Sequence, residues 1–187
     1  VTVDDRLRTT ARHIFACGDI CSAYKFTHAA DFQARLVIRN ALFMGRGKAS
    51  DLLVPWCTYT TPEVAHVGLS ETTAKERNVP LQTFVQPFSS VDRAILDGQT
   101  EGMAKIHVKP GTDRILGATI VASHAGEMIS EITLAMQMGV GLKRLAGVIH
   151  PYPTQAEAIR KIGDQYNKTR LTPFVKSLMG KWLAWTR

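Results

Sequence analysis

The sequence predicts an α+β fold, an antiparallel sheet with helices packed on it. Three observations predict it. Short alternating or β-branched runs cluster between Trp56 and Val121, turn residues separate them, and the longer helical periodicities follow. Strands gathered first and helices later suit an antiparallel sheet rather than alternating βαβ units.

In chain order, Val1 to Ala16 reads as a short strand, a polar turn at Asp4, Asp5 and Arg6, and a second strand ending in Ile14-Phe15-Ala16, stopped by Gly18-Asp19. Phe26 to Ala30 opens a helix, and Asp31 to Met44 continues the helical pattern. Phe32, Leu36, Arg39 and Phe43 share a face, and Ala34, Val37, Ile38, Ala41 and Leu42 leave little of it polar. A helix apolar nearly all round is buried or meets a second partner. Gly45-Arg46-Gly47 ends it, because glycine accepts a left-handed cap.

Strands are then predicted over 56–60, 65–69, 81–86, 103–108 and 115–121, with turns at Thr61-Pro62, Asn78-Val79-Pro80, Asp97-Gly98 and Pro110-Gly111. A short helix fits Ser70 to Arg77, with Ser70 able to cap it. A longer one fits Gly126 to Met138, where Met128, Ile132, Ala135 and Met136 have helical spacing, and a third starts near Thr154. The pattern changes near Lys48 to Asp51. Expected domains are therefore residues 1–50, the last piece of another domain, residues 51–167, and a tail over 168–187. Because Val1 opens into patterned sequence, the chain is expected to be part of something longer.

At 187 residues the chain can bury a useful core. Its net charge of +7 favours anionic partners in general, but the basic residues are scattered, which argues against nucleic-acid binding. Cys17, Cys21 and Cys57 are too few for a disulfide framework and lack the spacing of a zinc site, so they read as small buried thiols. Val1 to Arg8 does not resemble a signal peptide, and no apolar run spans a bilayer. The expected location is cytoplasmic.

Ile14-Phe15-Ala16-Cys17-Gly18-Asp19 is an apolar stretch ending in Gly-Asp. Gly18 permits close backbone approach to a ligand, and the Asp19 carboxylate can accept from a sugar hydroxyl. The helix opening at Phe26-Thr27-His28 offers free N–H groups and a positive dipole end. Read alone, the same residues also make an ordinary turn and helix start.

Thr9 to Asp19, T-T-A-R-H-I-F-A-C-G-D, resembles the second flavin motif of the pyridine nucleotide–disulfide oxidoreductases, among them glutathione reductase, dihydrolipoamide dehydrogenase and mercuric reductase. The resemblance implies FAD as cofactor and NAD(P)H as electron donor. It places Asp19 on the ribityl chain, with Gly18 beside it and Lys25, Phe26, Thr27 and His28 under the flavin pyrimidine edge. Residues 1–50 would then be the end of an FAD-binding domain. Thr60 to Glu71, T-T-P-E-V-A-H-V-G-L-S-E, is similar to the opening strand of the family's interface domain and reads as structural.

His150-Pro151-Tyr152-Pro153-Thr154-Gln155-Ala156-Glu157 resembles the family's His-Pro-Thr-x-x-Glu signature, with Tyr152 in the acid/base position, as in mercuric-reductase-like members. The resemblance implies that this segment reaches the partner subunit's active site in a homodimer, with Glu157 orienting the residue at 152. A cis bond before Pro153 is implied as well. Tyrosine titrates near 10 and histidine near 6.5, so Tyr152 is expected to be a neutral hydroxyl donor that steadies a thiolate or a metal ion, not a proton relay. His150 would share a face with Tyr152 in an extended segment and could take over the proton. Thr154 and Glu157 also fit a capping box.

No Gly-x-Gly-x-x-Gly fingerprint and no Cys-x4-Cys pair occur, so both are expected upstream and the chain alone is expected to be inactive. Lys181 to Arg187 lacks the cysteine pair that ends mercuric reductase proper. The implied substrate is a disulfide or a metal ion, and no metal is expected to be held by the chain itself. The alternative is a non-catalytic homodimerisation module. An interface is expected from the 126–138 helix and the 146–162 region. Leu171 to Arg187 mixes Phe174, Trp182 and Trp185 with Lys176, Lys181 and Arg187. That pattern suits either a helix on a membrane surface or, the expectation here, one packed on its own or a partner subunit.

Overall fold

A computed structural model describes residues 1–186. It divides into two compact units, Val1–Val54 and Pro55 onward.

The first unit is built around one long helix, α1 (Thr27–Leu42), four residues longer at its start than the run from Asp31. Ala29, Gln33 and Leu36 turn inward, whereas Phe32, Ile38 and Leu42 remain exposed. The two strands expected before it reduce to a single bridge between Arg8 and Phe15. Leu7 has a positive φ of 63°, which bends the segment out of extended geometry, and Ala16 N–H donates to Leu7 O. Only a short hairpin-like loop remains, followed by a 3-10 turn at Gly18–Ile20.

The second unit carries the sheet. Its strands are β1 (Trp56–Thr58), β2 (Glu63–Gly68), β3 (Gln82–Pro87), β4 (Met103–Val108) and β5 (Ile115–Ala122). The order is β1-β2-β5-β4-β3, antiparallel throughout. Alternation sorts the faces: Ala65 and Val67, Ala104 and Ile106, and Ala118 and Ile120 are all fully buried on one side.

Helices α4 (Ala125–Gln137) and α6 (Glu157–Thr169) cover that side. α4 lies over β1, β2 and β5, and α6 over β3 and β4. They contribute Met128, Ile129, Ile132, Ile159 and Ile162 to the core. The first turn of α4 has no cap of its own; the Glu63 carboxylate accepts from Gly126 N–H at 2.9 Å instead. Ser70 caps α2 (Glu71–Glu76) by accepting from Thr73 N–H at 3.1 Å.

Two short helices have no counterpart in the sequence pattern, α3 (Asp92–Leu96) and α5 (Leu142–Leu145). The chain ends in α7 (Pro173–Trp185), whose large apolar side chains are exposed. Its first turn sits beside α5 and α6, where Leu171 and Val175 line a cavity with Lys143, Ala146 and Asp164. Only Val175 of the helix is half-buried.

Candidate functional site

In the second unit the segment between α5 and α6 is a loop fixed at several points. Ile149 and Tyr152 are exposed on it, at 94% and 72%, while the His150 side chain between them is turned inward and only 7% exposed. His150 Nδ1 lies 3.1 Å from Val148 O, and Nε2 lies 3.0 and 3.2 Å from the two Glu131 carboxylate oxygens on α4. The Tyr152–Pro153 bond is cis, as the resemblance implies. Thr154 Oγ1–H donates to Pro151 O at 2.8 Å, closing the turn. Gln155, buried, joins Ser123 and Gln99 in a side-chain network beneath it.

Tyr152 points away from this anchor. Its hydroxyl donates to Asp92 Oδ2 at 2.9 Å. Asp92 is the first residue of α3, a helix seated by Phe88, Val91 and Ala94, all fully buried. Lys161 on α6 donates to Ser90 O at 2.7 Å and ties the same turn to α6. The Asp92 hydrogen bond, and then its charge, hold the Tyr152 phenol above its ordinary value near 10, because ionisation would place a phenolate against a carboxylate.

Three expectations need correction. His150 and Tyr152 do not share a face, because the turn into the cis proline sends one ring to α4 and the other to α3. Glu157 does not orient Tyr152: its Oε1 accepts from Arg160 Nη2 at 2.7 Å, and Oε2 lies 3.8 Å from Lys161 Nζ with no hydrogen bond. The capping box is also absent. α6 starts at Glu157, three residues beyond Thr154, so the Thr154 hydroxyl turns back to Pro151 instead of capping.

The one O–H of Tyr152 is given to Asp92, so toward solvent the phenol offers oxygen lone pairs and not a donor. Asp92, Glu131 and Lys161 were not legible as site residues. The one available signal was Phe88, Val91 and Ala94 at three-residue spacing, with an acid at the head of the turn.

In the first unit Gly18 adopts φ +77°, where side chains are strained, and its amide donates to the buried Gln33 Oε1 at 2.8 Å. A Cβ there would lie 3.2 Å from Ala30 Cβ, so glycine lets the turn sit against α1. The neighbouring Asp19 side chain is exposed. Lys25 Nζ donates to Asp19 O at 2.8 Å, and the Phe26 and His28 rings stack at 5.3 Å. Thr27 follows as the first residue of α1, which begins without a side-chain cap at Phe26. An exposed carboxylate beside a helix start without its own cap fits a ligand that carries hydroxyls and an electron-rich edge.

The cysteines are half-buried, not buried. Burial is the main cause that raises the Cys21 and Cys57 thiols above their ordinary value, which disfavours the reactive thiolate. Among the described residues no group of three or more His, Cys, Asp or Glu could hold a metal ion.

A five-stranded antiparallel sheet with helices on one face and a fixed Tyr-Pro loop beside it has the architecture of a disulfide-reductase interface domain. Residues 54–162 match the pyridine nucleotide-disulphide oxidoreductase dimerisation domain, and the chain belongs to that family, whose members are oxidoreductases. It is similar to a mercuric reductase of Staphylococcus aureus, 34% identical over 90% of this chain and 31% of the relative. It is also similar to a dihydrolipoamide dehydrogenase of Chaetomium thermophilum, 37% identical over 86% of this chain and 32% of the relative. Among solved structures, the HOCl-induced flavoprotein disulfide reductase RclA of Escherichia coli superposes with a TM-score of 0.79 at 30% identity, over 88% of this chain and 38% of that one. The chain thus spans about a third of the length of these curated relatives.

Proposed function

We propose that this chain is the C-terminal part of an FAD-dependent NAD(P)H oxidoreductase acting on a disulfide or a metal ion. In a homodimer it would supply one wall of the partner protomer's active site. The reading rests on one observation: Tyr152 is exposed yet held in place, its loop anchored by His150 on α4 and its phenol fixed by Asp92 on α3. Side chains fixed at both ends and still open to solvent are what a site completed by a second surface requires. Leu134 and Met138, on and just after α4, and Val148 and Ile149, leading into the loop, are exposed and would form the contact between copies.

Bound FAD would supply the redox chemistry, taking hydride from NAD(P)H and passing electrons to the acceptor. Asp19 would accept from its ribityl hydroxyls, and Gly18 would let the backbone approach. The start of α1, with Lys25, Phe26, Thr27 and His28, would face the pyrimidine edge and stabilise negative charge there. The exposed apolar residues of α1, Phe32 and Leu42 among them, suit a segment covered by the rest of a flavin domain.

Tyr152 would present oxygen lone pairs to a protonated thiol or to a metal ion, with the Asp92 carboxylate behind it adding negative charge. His150 would act by positioning the loop. The chain alone would be inactive, with the redox cysteine pair and the nucleotide fingerprint upstream.

The test is Tyr152→Phe in the full-length enzyme. Turnover is expected to fall roughly tenfold or more, as for loss of a fixed polar group that stabilises charge at the reacting atoms. The sedimentation coefficient of the dimer should not change. Unchanged turnover would favour the other reading, a homodimerisation module with no part in the chemistry. A strict monomer at high concentration would overturn both.

A further inference from the structure

Helix α7 contributes no residue to the loop around Tyr152. It spans Pro173–Trp185 and is about 20 Å long at 1.5 Å per residue. It starts independently: Thr172 caps it by accepting from Val175 N–H at 3.3 Å, and Pro173 occupies the first turn.

At 100° per residue, Phe174, Trp185, Leu178, Trp182, Val175, Met179 and Leu183 fall within an arc of about 180°. Lys181 lies just beyond one border of that arc and Lys176 just beyond the other, while Ser177, Gly180 and Ala184 occupy the opposite side. Val175, near the middle of the arc, is half-buried toward α5 and α6, and the rest of the arc is open to solvent, with Trp185 84%, Phe174 76% and Trp182 58% exposed.

Within α7 the charged residues are Lys176 and Lys181, both basic. After Asp164 the sequence contains no acidic residue, and Lys168, Arg170, Lys176, Lys181 and Arg187 are all basic. A second copy of the helix would bring the same cations against these and offer no carboxylate to pair with them, so self-association of this face is electrostatically opposed. A surface of anionic headgroups over hydrocarbon complements both properties. Aromatic rings enter the headgroup boundary, and lysines at the edges of the arc extend their ammonium groups to phosphates. No helix among the described residues is long and apolar enough to cross a membrane, so the contact would lie in the plane of the surface.

We propose that α7 docks the protein on an anionic lipid surface. The reading is independent of the chemistry proposed for Tyr152, since no residue of that site takes part.

The experiment is sedimentation of the full chain with vesicles of phosphatidylcholine alone or with phosphatidylglycerol added, read together with the tryptophan emission. Binding is expected to be at least about tenfold stronger to the anionic vesicles and to weaken as salt rises. The emission of Trp182 and Trp185 should shift to shorter wavelength on binding. Lys176→Glu with Lys181→Glu keeps the apolar arc and should remove the preference for anionic lipid. Trp182→Ser with Trp185→Ser keeps the charge and should remove the emission shift. Equal binding to both kinds of vesicle, or no binding, overturns the proposal. So does a result in which the tryptophan variants turn dimer into monomer without altering vesicle binding, because a second copy would then be the occupant.

Discussion

The Tyr152 hydroxyl donates to Asp92 Oδ2 at 2.9 Å, joining residues 60 positions apart in the chain. Asp92, and not the family-signature acid Glu157, is the carboxylate that governs this phenol. Asp92 raises its pKa first through the hydrogen bond and then through charge, with desolvation next and Glu157 last.

Replacing Asp92 is therefore expected to lower the Tyr152 pKa, and by more than replacing Glu157. Ultraviolet titration of Asp92→Asn and Glu157→Gln, with Tyr152→Phe to identify the transition, checks the order. The sign for stability follows. The folded state binds this proton more tightly than the unfolded chain, where tyrosine titrates near 10. The contribution is complete below about pH 10 and disappears as pH rises through the folded value. Asp92→Asn should flatten the alkaline decline of Tm. An unaltered decline and an unaltered titration would show that the hydrogen bond does not form in solution.

An opposite dependence is built into the sheet. His107 is 1% exposed, and its Nδ1 lies 2.9 Å from Thr83 Oγ1. Burial lowers its pKa; Glu71 opposes the shift, and Lys105 and His66 add to it. His66 is lowered by burial as well. The unfolded chain takes up these protons near pH 6.5, before the folded one. Their stabilising contribution is thus present above about pH 6.5 and lost as pH falls through the folded values. His107→Gln should reduce the fall in Tm between roughly pH 7 and 5, and His66→Gln should add to the effect. Equal slopes in the variants and the parent would refute it.

Gly18 and Asp19 separate structure from binding. Gly18→Ala forces a side chain into φ +77° and pushes a methyl against Ala30, so it should cost about 1–2 kcal/mol and lower Tm. Asp19 is exposed, so Asp19→Ala should leave Tm of this chain nearly unchanged. In the full-length protein the same substitution should weaken FAD retention, read as the flavin-to-protein absorbance ratio after gel filtration. Full flavin content would remove Asp19 from the proposed cofactor site.

What was legible follows from the range of the forces involved. β4 occupies the predicted 103–108 because Ala104, Ile106 and Val108 alternate into the core, and alternation is local information. Ser70 was readable as a cap for the same reason. Val1 to Ala16 has β-forming residues too, but a strand needs partners, and Leu7 bends the segment away from pairing. α3 and α5 are too short for a helical period to emerge. The Tyr152 loop was recognised through its Tyr-Pro-Thr-x-x-Glu pattern, whereas its partners were invisible. Asp92 reaches Tyr152, and Glu131 reaches His150, only after the sheet has brought α3 and α4 to either side of the loop.

That last contact gives the sharpest test of how the loop works. If His150 moved protons, replacing it would change the pH profile of turnover and leave the loop in place. The geometry assigns it an anchoring role, because its ring is inward and both nitrogens face oxygens of Val148 and Glu131. His150→Ala is therefore expected to free residues 148–154, seen as faster amide exchange there. In the full-length enzyme kcat should fall with little change in the position of its pH optimum. Glu131→Gln keeps an acceptor for Nε2 and should disturb the loop less than Glu131→Ala. Tyr152→Phe should lower kcat without freeing the loop, since the anchor stays intact. A protected loop in His150→Ala together with a shifted pH optimum would instead make His150 the proton carrier.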